Sequence, residues 1–184
     1  MNTNRMNRWS VVSLVLALFS AGALAQGGRP RVELTALAEA DGVYPGTALK
    51  VALQVALPDG VHMQSNRPRD PLLIPTRIVA APPAGVVVSD VLYPPPTDFA
   101  QAGQSAPLAV FEQRFVAMVN VSIAKEVAPG VVQLPLTLRY QACDASTCFP
   151  PNKEDTVVAL RVVAPGTPIK RQAPELFSTL RFAR

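Results

Sequence analysis

One histidine, two cysteines and one tryptophan are spread over 184 residues. A single imidazole, His62, excludes the histidine clusters of zinc sites, and no serine–histidine–aspartate arrangement can be argued from it. Two cysteines exclude a disulfide-dense scaffold. Lysine and arginine form no cluster and no aromatics interleave them, which argues against a nucleic-acid partner. No apolar run reaches the ~20 residues that a membrane helix needs. The one long run, Ser10 to Ala23, spans 14 residues. It follows Arg5 and Arg8 and ends at Ala23-Leu24-Ala25, a small-x-small cleavage site before Gln26. Residues 1–25 are therefore expected to be a signal peptide, with an uncleaved anchor as the alternative. Cleavage leaves 159 residues (184 less 25) with no span, and lowers the net charge from +4 to +2 because two arginines go. Trp9 is lost with them.

Export implies an oxidising compartment, the periplasm, where an even cysteine count normally means a disulfide. The remaining chain is long enough for one ordinary hydrophobic core. Nineteen prolines fall mostly between short alternating runs. Leu49, Val51, Leu53, Val55 and Leu57 alternate with Lys50 and Gln54, the period of a half-buried strand. Val32 to Ala36, Val61 to Gln64, Ile74 to Ala80 and Val86 to Tyr93 read as further strands. Phe111, Phe115, Ala117, Val119, Val121 and Ile123 read as one continuous strand. Turns fall at Tyr44-Pro45-Gly46, Pro58-Asp59-Gly60 and Pro82-Pro83-Ala84-Gly85. The pattern predicts an all-β, immunoglobulin-like antiparallel β-sandwich of seven or eight strands over 26–164. The tail, 165–184, is expected to be disordered or to hold a short helix from Pro174.

Both cysteines lie in one stretch. Val132, Leu134, Leu136, Leu138 and Tyr140 form one face of a strand leading into Cys143. Val158, Leu160 and Val162 form one face of a strand leading away from Cys148. The pair thus sits at the tip or rim of a hairpin. A bridge there closes a loop of about six residues, worth roughly 2 kcal/mol, against ~4 to 5 for a loop of about a hundred. It is a poor staple and a good redox pair, since the second thiol can always reach a mixed disulfide formed at the first. Spacing alone leaves both readings open.

The wider stretch, Tyr140-Gln141-Ala142-Cys143 and Cys148-Phe149-Pro150-Pro151, resembles the active-site segment of the periplasmic N-terminal domain of the thiol:disulfide interchange reductase DsbD. Gly60-Val61-His62-Met63-Gln64-Ser65-Asn66-Arg67-Pro68, running on to Leu73-Ile74-Pro75-Thr76, is similar to that family too. So is Tyr93-Pro94-Pro95-Pro96 followed by Val110-Phe111-Glu112. Four residues separate the cysteines here, where some members have five. The resemblance implies a protein-disulfide reductase component, relaying electrons from a thioredoxin-like protein and a membrane thiol reductase to oxidised periplasmic proteins. It implies Cys148 as the residue that bonds to partners and Cys143 as the one that resolves the bond. It also implies a cap loop between Tyr93 and Ala109 that shields the disulfide. The candidate shield is Phe99, preceded by Asp98, with Tyr93 as a rival; the alternative for Phe99 is a plug at the core edge. Thr97 to Ala106 is small and polar and reads as loop. No cofactor or metal is called for, and a monomer is expected.

Tyr140 and Phe149 flank the pair. Asp144 and Lys153 could tune a thiol, or be solvated loop charges. His62 reads as a structural or surface residue. Two other functions stand beside the relay. One is a binding module with a structural disulfide. The other is an envelope copper-handling protein, with His62, Met63 and the thiols as soft donors.

Overall fold

The computed structural model describes residues 29–180 and Phe182; the expected signal segment lies outside them. Eleven strands and one short helix follow in order. They are β1 (Glu33–Ala38), β2 (Ala48–Ala56), β3 (His62–Gln64), β4 (Arg77–Ala80), β5 (Val86–Leu92) and β6 (Thr97–Phe99). Next come β7 (Leu108–Glu112), β8 (Arg114–Ile123), β9 (Gly130–Tyr140), β10 (Ala142–Cys143), β11 (Asn152–Val162) and α1 (Pro174–Thr179). All ladders between named strands are antiparallel.

Two sheets make the sandwich. One has the order β1-β2-β8-β5, the other β11-β9-β4. In the first, Val51 stands opposite Val119 and Leu53 opposite Ala117, all fully buried. In the second, β9 turns Leu134, Leu136, Leu138 and Tyr140 inward and leaves Gln133, Pro135 and Arg139 outside. The period-two pattern thus becomes one shared apolar layer, the expected consequence of burying one face of each sheet. The immunoglobulin-like antiparallel β-sandwich expected from the sequence is present.

A third, smaller sheet has the order β10-β3-β7-β6. The run read as one strand from Phe111 to Ile123 is two. Gln113 adopts a left-handed φ of 51°, and its carbonyl accepts a hydrogen bond from Leu57 N at 2.7 Å. Across that residue the chain leaves the small sheet and joins the large one.

All three residues of β3 are buried, which a one-sided strand cannot achieve. Register and alternation explain it. Met63 stands between Ala142 and Phe111 and packs in the main core. His62 and Gln64 face the other way, with Cys143, Glu112 and Val110. A second layer must cover that outer face. The tail adds a final pairing: Lys170 O and Gln172 N bond the backbone at Asp41 and Glu39, ahead of α1, which buries no residue.

Candidate functional site

The sequence around the cysteines folds as a braced turn. Asp144 Oδ1 accepts from Ser146 N at 2.8 Å, Thr147 N at 2.7 Å and Ser146 Oγ at 3.0 Å. Asp144 N donates to Thr147 O at 2.9 Å, and Phe149 N to Ala142 O at 2.8 Å. Such aspartate-capped turns need a short polar side chain at that position. The turn brings Cys143 and Cys148 opposite each other, Cα to Cα 3.9 Å, joined by a disulfide. Cys143 is fully buried at 0% exposure; Cys148 is exposed.

The expected neighbours fall into different roles. Those hydrogen bonds, the Ser146 amide first, hold Asp144 below the usual carboxylate range, so it braces the loop through its own amides. Lys153 turns away to Asp155, 3.2 Å distant. Tyr140 is buried, accepts from Asn152 Nδ2 at 3.3 Å, and burial raises its phenol. Phe149 is half-buried against the main core. These two aromatics anchor the hairpin stem. Tyr93 also belongs to the core: its hydroxyl accepts from Ile78 N at 2.7 Å and its ring stacks with Phe111 at 6.2 Å. Its placement gives it a packing role.

Phe99 sits elsewhere. Its ring lies on His62, centroids 4.0 Å apart, on the outer face that carries Cys143. The segment read as loop opens with β6, where Phe99 pairs with Leu108. Its continuation is tied to the cysteine turn. Gln101 Nε2 donates to Asp144 O at 3.2 Å, and Ala102 N to Ala145 O at 3.4 Å. Arg69 holds both ends, pairing with Asp98 and donating to Pro107 O at 2.7 Å. Residues 99–107 and the cysteine turn therefore meet above the small sheet.

Beneath them lie polar groups that the sequence placed beside the thiols only in the copper reading, for His62, or not at all, for Gln64 and Gln101. His62 is 1% exposed and is the register partner of Cys143. Neither ring nitrogen has a hydrogen-bond partner. Burial lowers its pKa, against smaller raising effects from Gln101, Glu112 and Asp144. Gln101 lies beside the ring without satisfying hydrogen-bond geometry, and its own Oε1 is also unpartnered. Gln64 Nε2 points at Cys143 Sγ, 3.9 Å away. The only sequence signal for this cluster was two polar residues, His62 and Gln64, alternating around a buried methionine. The same alternation turns Met63 away from His62, so the donors expected for copper do not converge. Among the described residues no group of three His, Cys, Asp or Glu side chains could hold a metal.

An immunoglobulin-like sandwich with a one-side-exposed disulfide on a small accessory sheet is the class that fold and site define. The family model of the N-terminal domain of thiol:disulfide interchange protein DsbD matches residues 32–160, and the chain belongs to that family. The N-terminal periplasmic domain of ScsB from Proteus mirabilis is similar in structure, with TM-score 0.47 and 18% identity. That match covers 71% of this chain and 46% of that one, so this chain spans about half its length. The yeast GGA1 GAE domain also matches, with TM-score 0.39, 14% identity, and coverage of 76% and 96%. No curated protein matches in sequence.

Proposed function

We propose that this domain works in the periplasm as a thiol–disulfide relay, passing electrons from a thioredoxin-like donor, itself served by a membrane thiol reductase, to oxidised periplasmic proteins. Family membership and the Cys143–Cys148 disulfide support exchange as the chemistry. The observation that carries the division of labour is the asymmetry of the pair. Cys148 is exposed and Cys143 is sealed, so an incoming sulfur meets Cys148 first. Cys143 then attacks from within. Phe99 and the chain beyond it act as the cap, excluding small thiols until a partner displaces them.

Trapping tests the assignment. Cys143→Ala should accumulate mixed disulfides with a thioredoxin-like protein, and Cys148→Ala should not. The reverse pattern rejects it. A reduction potential below about −300 mV would instead favour a structural disulfide.

A further inference from the structure

This inference rests on the relay reading. When Cys148 is bonded to a client, Cys143 must attack as a thiolate. Its sulfur is sealed from water, so the thiol proton needs an acceptor inside the protein. The register supplies one. Cys143, His62 and Glu112 form a row across β10, β3 and β7, on the same side of the sheet, and directly opposed residues have Cβ atoms ~4.5–5.5 Å apart.

We propose that the His62 imidazole is the proton acceptor for Cys143. In the resolving step the Cys143 Sγ–H proton passes to a His62 ring nitrogen. The thiolate attacks Cys148 Sγ and the Cys143–Cys148 bond forms. The bond from Cys148 to the client sulfur breaks, and its electron pair leaves on that sulfur, which takes a proton from water. Two electrons have then moved from the dithiol to the client. The reverse reaction runs through the same atoms, imidazolium returning the proton to Cys143.

Three observations converge here. Both His62 nitrogens are buried with no hydrogen bond of full geometry, only the weaker approach of the Gln101 side chain, a costly condition that asks for a reason. The groups facing it leave no competing base. Gln64 only donates toward the sulfur, Gln101 is an amide, and Asp144 is occupied by the turn. Glu112, from β7, accepts from Thr97 Oγ1 at 2.8 Å, and its charge favours imidazolium. Asp98 lies behind Phe99 and is paired with Arg69. Burial favours the neutral imidazole, the state a base requires.

The test mixes reduced protein with dithiodipyridine. The first thione released reports Cys148, the second reports Cys143 closing on it. His62→Gln should leave the first release unchanged and slow the second by about 10²-fold, the low end of general acid–base effects. In the wild type the second rate should level off above an inflection lying below the ordinary histidine value, and Glu112→Gln should move that inflection lower. An unchanged second release in folded His62→Gln overturns the proposal. So does a wild-type second rate that climbs steadily with pH without inflection, a result independent of any variant's folding. Should the wild type release no second thione at all, the relay reading falls and takes this inference with it. A normal two-step wild type beside an unaffected His62→Gln removes only the role of His62.

Discussion

Phe99 and His62 hold each other at 4.0 Å, and each supports a separate prediction at the scale of one side chain. Phe99 is half-buried and lies outside the main core cluster. Phe99→Ala should therefore raise the rate of disulfide reduction by glutathione several-fold while barely moving the melting temperature. A large loss of stability with an unchanged reduction rate would make it a core plug and place the shield elsewhere. His62 carries a pH signature. Its folded pKa is depressed from 6.5, so below that value the unfolded chain binds a proton that the folded chain refuses. Stability is full above the unfolded value and is lost as pH falls from 6.5 toward the folded value. The wild-type melting temperature should be flat above neutrality and decline on mild acidification, and His62→Gln should flatten that decline. Asp144 and Asp155 act in a separate window. Their pKa values are depressed below 3.8, so their contribution is lost only in stronger acid. Melting curves across the acidic range separate the two. A decline that persists unchanged in His62→Gln would assign the mild-acid loss to another group.

Among the elements, the proposed cap, residues 97–107, is the one whose attachment invites a direct experiment. Arg69 grips it at Asp98 and at Pro107 O. Both side chains of the ion pair are about half exposed, 49% and 61%, so the pair contributes at most about 1 kcal/mol to stability. Its effect should be on opening. Arg69→Ala should speed reduction by glutathione more than Asp98→Asn does, because only the former frees both ends, and neither should shift melting appreciably. Equal rates in all three proteins would mean that the turn contacts at Asp144 and Ala145 hold the cap alone. This clamp was not legible in the sequence, and neither was the His62–Cys143 pairing. Alternation placed the long strands, because each buries one face. It carried straight through Gln113 without revealing the sheet switch, since Phe111 and Phe115 keep the same parity on either side. It also left β6 as loop, because three residues at a sheet edge give no period to detect. The Cys143–Cys148 pair was legible because a short spacing is a local signal, whereas Phe99 was singled out only through the family resemblance, and the structure places its ring on His62. His62 was set beside the thiols only as a copper donor together with Met63; that it faces Cys143 while Met63 turns into the core was not visible, because strand register is a long-range property fixed by the whole fold.

At the scale of the molecule, neither cysteine belongs to the apolar cluster that closes the sandwich. The sandwich core, from Val51, Leu53 and Val119 on one sheet to Leu134, Leu138 and Leu160 on the other, is closed without either cysteine. The small sheet joins that core through Met63, Phe111 and Ala142, side chains that point away from the sulfur. A backbone hydrogen bond from Phe149 N to Ala142 O also closes the hairpin beside the disulfide. A loop of about six residues restricts the unfolded chain by only about 2 kcal/mol. For a domain of this size that corresponds to a fall of about 4–8 °C in melting temperature. Reduction by dithiothreitol, or replacement of both cysteines by alanine, should produce that modest fall with an unchanged far-UV spectrum and a single cooperative transition. The same reduced protein should expose Cys148 to alkylation well before Cys143. A relay must survive both redox states as a folded protein, so a small thermal shift with unequal thiol reactivity is the signature expected of one. Collapse on reduction would show instead that the bridge holds the domain together, and the structural-disulfide reading would then take precedence.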